Sequence, residues 1–471
     1  MNKISENFIE HIRQQLPCHL SLDEFLAFNN KPLRLSVRVN TLKITVSAFH
    51  DLMSSKGWRL TSIPWCKEGF WITIPPHQDI GNSIEHLQGL FYIQEASSML
   101  PPTALFDSDS NFDNVLDMAA APGSKTTQIA ALMNNQGLLI ANEYSSSRVK
   151  MLHANLVRMG VYNAAITHFD AEVFGQYLFE AFDAILLDAP CGGEGTVRKD
   201  SNALKDWRLE EVHSIATKQK QLIVSAFEAL KVNGTLIYST CTLSQEENQQ
   251  VCLFLKETFG DAVEFISLAD LFNGANKATT SEGFLHIWPQ IFDSEGFFVA
   301  KIRKTKSVTR SQPEPKINKN FPFKELSIKQ EKEITDWLLE NYSISIPASL
   351  YLVTRDNQFW LFPKAIKSYI GKIRFQRIGL KLAEQKGKHL KITHEVISVL
   401  YRYQSDAINA NEQQAEEYLK GRDIQLEQVT KPQGEKIICS NKVALGLIKH
   451  LGTKLKNNLP RDLVRDNAVK L

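Results

Sequence analysis

The chain has 471 residues, of which 43% are hydrophobic and 23% charged, an ordinary globular balance that excludes a disordered or fibrous protein; at ~100–200 residues per domain it predicts two to four domains. No apolar run reaches the ~18 residues of a membrane span, and the six cysteines lack CxxC pairs and zinc-finger spacing, which argues against a disulfide framework or structural metal and predicts reduced thiols. The net charge of +2 hides a division, because residues 301–471 carry 32 Lys and Arg against 18 Asp and Glu, net +14, and leave −12 on residues 1–300.

Met1 to Leu16 carries Lys3, Glu6, Glu10 and Arg13 and no unbroken apolar stretch, so no secretory signal is expected and a cytoplasmic protein without membrane association is predicted. Residues 1–105 mix helical and strand patterns. Within them, Leu33 to Asn40 alternates apolar and polar side chains, as a half-buried strand does. Arg34, Ser36 and Arg38 then share a face that either meets phosphate or is simply solvated. From 106 to 305, short apolar runs alternate with amphipathic helical stretches, the signature of a parallel sheet covered by helices. Strands are predicted near Asn114–Leu116, Leu138–Asn142, Ala164–His168, Ala184–Leu187, Thr235–Tyr238 and Phe297–Ile302, and a helix over Val251–Glu257. The basic stretch Lys301–Lys319 contains Pro313 and Pro315 and lacks apolar periodicity, so a linker is expected at 306–321. Residues 322–390 and 391–471 read as two small α+β units. The basic half suggests a polyanion-binding module on an acidic body, with a solvated Lys-rich surface as the plainer alternative.

In open α/β sheets the ligand crevice lies beyond the carboxyl ends of the strands. Asp117 and the turn Ala119-Ala120-Ala121-Pro122-Gly123-Ser124-Lys125 follow the first predicted strand, Glu143 the second, Asp170 the third, Asp188 and Cys191 the fourth, and Cys241 the fifth. The turn opens onto an amphipathic helix, Lys125–Met133, with Ser124 as the expected N-cap and free amides able to receive a carboxylate or phosphate. Gly123 permits close backbone approach. Glu143 stands about where such folds place the acid that binds ribose hydroxyls. A nicotinamide cofactor would call for GxGxxG, and this turn has one glycine. Small residues, one glycine and a ribose-binding acid suit S-adenosylmethionine instead.

A strand-end cysteine is ordinarily a small buried hydrophobe; two at a cofactor edge invite a chemical account. Carbon 5 of cytosine is a poor nucleophile until a thiolate adds to carbon 6. A base must then remove the proton at carbon 5 before the thiol can leave. A free thiol with pKa ~8.5 is only a few per cent ionised at neutral pH, so such a site must activate it. Asp188 is a candidate to hold the cytosine amino edge and Lys125 to polarise the base.

The segments Leu116 to Thr127, Asp188-Ala189-Pro190-Cys191-Gly192-Gly193-Glu194-Gly195-Thr196 and Tyr238-Ser239-Thr240-Cys241-Thr242-Leu243 resemble three signature motifs of the Nol/Nop/Sun RNA cytosine-5 methyltransferases. Arg38-Val39-Asn40-Thr41, Tyr92 to Ser98 and Glu295 to Ala300 are also similar to that family, and Lys364 to Lys391 and Gly452 to Arg461 resemble its members that modify small-subunit ribosomal RNA. The resemblance implies an α/β fold: a Rossmann-like S-adenosylmethionine-dependent methyltransferase domain at 106–305, a small N-terminal α+β RNA-binding region at 1–105 and a C-terminal PUA-like module at 391–471. It implies a decoding-region cytosine of 16S rRNA as target; the expected partner is 16S rRNA within the 30S subunit, and a monomer is expected. It makes Cys241 the nucleophile and Cys191 the residue that assists release. The methionine end of the cofactor falls to Ala119, Ala120, Ala121, Pro122, Gly123, Ser124 and Lys125, the ribose to Glu143 and adenine to Asp170, with Asp188 bordering cofactor and base; no metal is implied. One departure is Gly192, where the family commonly has Ser, which raises the question of loop rigidity.

Outside the crevice, Lys364, Lys367, Lys372, Arg374, Arg377, Lys381, Lys386, Lys388 and Lys391, interleaved with Tyr369 and Phe375, suit a phosphate-gripping surface with base stacking. Lys442, Lys449, Lys454, Lys456, Arg461 and Arg465 form a second basic set. Because a stacked duplex hides carbon 6, the target cytosine is expected to flip out at a cost of a few kcal/mol. The same chemistry on tRNA, and a catalytically idle RNA-binding assembly factor, are the alternatives.

Overall fold

The computed structural model describes residues 4–469 apart from 77, 108–110, 317, 319, 406, 429–430 and 432–433. Residues 1–3 of the predicted amino-terminal stretch, 317 and 319 of the predicted linker and 470–471 of the predicted last unit lie outside the described residues. Strands β1 (Ser36–Val39), β2 (Arg59–Ile63), β3 (Cys66–Thr73) and β4 (Phe91–Ile93) form an antiparallel sheet ordered β2-β3-β1-β4. Next come β5 (Asn114–Asp117), β6 (Leu138–Asn142), β7 (Ala164–Thr167), β8 (Phe182–Asp188), β9 (Leu230–Thr240), β10 (Val263–Ile266), β11 (Leu285–Ile287) and β12 (Phe297–Lys304). The strands β9-β8-β5-β6-β7 run parallel in that order, and β12 closes antiparallel on β9.

This sheet is buried on both faces, as parallel sheets are. Leu116, Leu138, Ile140, Ile185 and Leu187 point into one core, while the intervening Val115, Leu139, Ala141, Ala184 and Leu186 point into another. Period-two alternation therefore splits continuous apolar runs between two helical layers. The predicted strands all form, and the predicted helix over Val251–Glu257 spans Gln249–Phe259.

Beyond β12 a five-stranded sheet contains β13 (Lys324–Glu325), β14 (Leu350–Arg355) and β15 (Gln358–Pro363), followed after β16 (Arg377–Ile378) by β17 (Leu380–Lys386) and β18 (His389–Ile392). Strand β16 leaves its neighbours and pairs antiparallel with β7, so a strand that follows β15 along the chain adds the last strand of the parallel sheet. A final sheet is built from β19 (Ile408–Asn409), β20 (Ile424–Gln425), β21 (Gly434–Ser440), β22 (Val443–His450) and β23 (Lys454–Asn457). Between β12 and β13 the described residues form no helix or strand, yet the segment is fastened down. The Ser311 amide and hydroxyl donate to Glu228 Oε1 and Oε2, both at 3.0 Å.

Three sequence expectations need correcting. The Arg34, Ser36 and Arg38 face is not open to phosphate: Ser36 and Arg38 are 3% and 2% exposed, because β1 is interior to its sheet and the helix Ser124–Leu132 covers its polar side. Arg38 donates to Ser124 O (2.7 Å), Thr127 Oγ1 (2.9 Å) and Gln94 Oε1 (2.9 Å), and Arg34 lies over Trp71 and pairs with Asp293 at 3.0 Å. Tyr369 is 4% exposed, stacked on Phe182 with its hydroxyl donating to Ala181 O, and Phe375 packs partly buried against the core. Tyr369 offers no stacking surface, because β16 and the turn before it dock on the sheet. Finally, the helix after β5 is not amphipathic: Thr126, Thr127, Gln128, Ile129 and Ala130 are all buried, since the N-terminal region covers the side that a solvated helix would expose.

Candidate active site

The carboxyl ends of β5, β6, β7, β8 and β9 converge on a cavity of about 520 Å³, within the range of sites for nucleoside-sized ligands. Ala119, Ala121, Glu143, Asp170, Asp188, Cys191 and Cys241 line it. Of the other residues named from the sequence, Ala120, Pro122, Gly123, Ser124 and Lys125 do not line it. Gly123, rather than Ser124, occupies the helix N-cap, with φ 109 in the left-handed region. Ser124 is the first helical residue. The turn needs a residue without Cβ, and a Cβ would also stand 3.2 Å from Leu152 Cδ1.

The acids are held in different ways. Glu143, 3% exposed, accepts from the amides of Ser145 (2.7 Å) and Ala121 (3.3 Å), with Arg148 at 3.6 Å from Oε2; this leaves acceptor capacity facing the cavity. Asp170 accepts from Lys218 Nζ at 2.9 Å. That ammonium outweighs the cost of burial and holds Asp170 below the usual carboxylate range. Asp188 takes Lys125 Nζ on one oxygen and Ser239 Oγ on the other, both at 2.7 Å. Burial works against the Lys125 charge, but Asp188 and the nearby Cys241 raise its pKa overall. Backbone at Ala119 and Ala121, a carboxylate at Glu143 and a carboxylate–ammonium pair at Asp170 fit a ligand bearing ribose hydroxyls and a zwitterionic end.

The two thiols follow adjacent parallel strands, β8 and β9, and their Sγ atoms stand 3.3 Å apart. The Cys241 contact, together with burial, pushes Cys191 well above the ordinary thiol range. Two sulfurs this close cannot both ionise without strong repulsion.

Sequence reasoning missed the residues that hold this pair. Glu194, fully buried, accepts from the Leu243 and Ser244 amides (2.9 and 2.7 Å), Ser244 Oγ (2.6 Å) and Trp207 Nε1 (2.7 Å). The Gly195 amide donates to Cys241 O at 2.9 Å. The Cys191 loop and the Cys241 loop are thereby stapled together. Glu247 accepts the Gly192 amide at 3.0 Å and Gln219 Nε2 at 2.7 Å, and the same Gln219 amide group donates to Pro190 O at 2.9 Å. Burial pushes the Glu247 carboxyl up to about 7. A Cβ at Gly192 would stand 2.8 Å from Glu247 Oε1, so here a missing side chain admits the carboxylate that fixes the loop. Glu194 sat inside a recognised motif; Glu247, Gln219 and Lys218 carried no local signal. From outside, the helix Glu6–Gln15 braces the segment after Cys241, with Gln15 accepting from the Gln245 amide at 2.8 Å and His11 pairing with Glu246 at 3.3 Å.

Comparison with known proteins accounts for nearly the whole chain. Residues 104–303 match the family described as 16S rRNA methyltransferase RsmB/F, 4–96 the N-terminal domain of 16S rRNA methyltransferase RsmF, 323–400 the pre-PUA domain of ribosomal RNA small subunit methyltransferase F, and 405–465 the methyltransferase RsmF PUA domain. The ribosomal RNA small subunit methyltransferase F of Shewanella oneidensis is 60% identical over 471 residues, covering 100% of this chain and 99% of its own length. That of Shewanella halifaxensis is 59% identical over 478 residues, with the same coverage. A methyltransferase homologue from Pyrococcus horikoshii superposes with a TM-score of 0.53 at 34% identity, covering 64% of this chain and 100% of its own. NSun6 from the same organism, solved with SFG, gives 0.56 at 22% identity over 65% of this chain and 99% of its own, a likeness of fold.

Proposed function

Because the chain belongs to the RsmB/F family of 16S rRNA methyltransferases, which are S-adenosylmethionine-dependent enzymes, we propose that it methylates carbon 5 of one cytosine in the decoding region of 16S rRNA, within the 30S subunit and in the cytoplasm. The observation that carries this reading is the pair of thiols 3.3 Å apart at the cavity edge, beside the Lys125–Asp188 ion pair. A binding scaffold needs neither sulfur.

Bound S-adenosylmethionine would supply an electrophilic methyl group. The turn Ala119 to Lys125 would hold its methionine end through Ala119 and Ala121, which line the cavity, Glu143 its ribose and Asp170 its adenine side. Cys241, as thiolate, adds to carbon 6 of a flipped-out cytosine, forming a C–S bond and making carbon 5 nucleophilic. Lys125, charged and near Cys241, favours that thiolate and polarises the base, while Asp188 accepts from the cytosine amino group. After methylation a base takes the proton on carbon 5, the electrons of that C–H bond restore the 5,6 double bond, the C–S bond breaks and Cys241 departs with its electron pair. Cys191, held as a thiol by its neighbour, assists that release.

Transfer of labelled methyl to 30S subunits, naked 16S rRNA and tRNA tests the reading. Label is expected on one rRNA cytosine and is expected to vanish with Cys241→Ala while RNA binding persists. Cys191→Ala is expected to accumulate a covalent RNA adduct through Cys241, seen as a denaturation-resistant shift on gels. Turnover by Cys241→Ala, or label on tRNA alone, would overturn the assignment.

A further inference from the structure

A second cavity, of about 480 Å³, lies where the N-terminal region, the helix Ser146–Arg158 and the two C-terminal units meet, away from the thiols. Its size suits a nucleotide. Its walls hold positive charge that the chain does not neutralise. Arg158 lines it, donating to His86 O (2.9 Å) and Asn155 Oδ1 (3.1 Å). Lys43 sits behind the wall and donates to Gln88 O at 2.8 Å. Among the described residues neither cation has a carboxylate within 4.0 Å. The acids that line the cavity offer no remedy: Glu395 is taken by Arg377 at 2.5 Å, and Asp462 stands at the exposed rim. Burial accordingly lowers Lys43 to about 7 and Arg158 to about 10.

Three imidazoles line the same space; His86 Nδ1 and His394 Nδ1 are buried ring nitrogens without a partner, and His153 Nε2 stands 3.8 Å from Glu395 Oε1. They come from three different parts of the chain, and burial, helped by the neighbouring cations, lowers each to about 4. Buried polar atoms without partners and buried charges without counter-charges are both unfavourable, and native structures rarely leave several together. One ligand with negative charge and several acceptors would satisfy Arg158 and the free imidazole nitrogens together. Leu87, Val157 and Leu459 supply an apolar wall of the kind a nucleobase fills.

We propose that this cavity is a second ligand site that takes a nucleotide, with phosphate toward Arg158, Lys43 adding positive field from behind the wall, and the base against the apolar wall, its polar edge read by the imidazoles. The nucleotide comes either from an RNA chain, which rests on the proposed function, or from the free nucleotide pool, which does not.

The test is calorimetric titration of the full chain with cytidine and adenosine 5′-monophosphates after saturation with S-adenosylhomocysteine, which fills the first cavity. Stoichiometric binding is expected to persist, and to weaken at least tenfold in His394→Ala and in Ala154→Trp. Ala154 lies on the exposed rim, so the indole can block the mouth without disturbing the core. Displacement of the probe by a single-stranded oligoribonucleotide assigns the site to an RNA chain; bound probe that resists displacement assigns it to free nucleotide. No binding at millimolar nucleotide, or equal binding in wild type and both variants, overturns the proposal. A chain that fails to take up S-adenosylhomocysteine would instead count against the proposed function, and the second cavity is then titrated without it.

Discussion

Glu247 never touches the cavity, yet its carboxylate holds the Gly192 amide and, through Gln219, the Pro190 carbonyl, so it fixes Cys191 from both sides. Replacing it by Gln keeps the volume but swaps one acceptor for an NH₂ that must face a donor, Gly192 N–H or Gln219. The expected outcome for Glu247→Gln is a folded protein with methyl transfer slowed about 10- to 100-fold, the ~1.4 to 3 kcal/mol of one lost hydrogen bond to a charged group. Affinity for S-adenosylhomocysteine should be unchanged. Single-turnover rates and calorimetry separate the two, and loss of cofactor binding would show that Glu247 supports the whole crevice instead. The cysteines were legible from sequence because each sits in a short motif directly after a strand. Glu247 was not, because what gives it meaning is a contact across 55 residues of chain.

At the scale of elements, Arg38 joins the four-stranded sheet to the first turn of the helix Ser124–Leu132, and thus to the loop that begins at Ala119. Its guanidinium is buried and bonded to neutral acceptors, and desolvation lowers its pKa to about 10. Arg38→Met should leave the Ser124 carbonyl and Thr127 hydroxyl without that donor, at a cost of about 2–4 kcal/mol. A lower thermal midpoint and weaker S-adenosylhomocysteine binding are expected together; a lower midpoint with unchanged affinity would mean that the loop does not depend on this tie. The alternation over Leu33–Asn40 correctly predicts a strand. It predicts the wrong surface, because period two reports which side chains share a face and says nothing about whether a second domain covers that face.

For the whole molecule, stability against pH is a balance of buried groups. Asp117, Glu247 and Glu295 are raised by burial to about 7, 7 and 8. Between roughly pH 4 and those values the folded state holds protons that the unfolded state has released, so their contribution falls as pH rises. His86, His153, His286 and His394, lowered to about 4, 4, 3 and 4, act in the opposite sense, favouring the fold above their ordinary pKa and weakening it as pH falls. The net curve therefore reveals little, while a difference isolates one group. Relative to wild type, Asp117→Asn should gain stability from pH 4 to 7 by up to about 1.4 kcal/mol per pH unit; denaturant unfolding across that range checks it, and a flat difference would mean Asp117 is ionised throughout.

By itself the sequence determined the parallel sheet, its strands, the loops after them and the two thiols, since apolar runs, period-two alternation and strand-end motifs are local properties of the chain. It also fixed the charge division between its two parts. Only the tertiary structure decided that Arg38 is a buried tie, that Tyr369 packs inside, that Gly192 makes room for a carboxylate, and that three distant histidines meet beside cations without counter-charge. Each of these depends on contacts between residues far apart in the chain, which no spacing along it encodes.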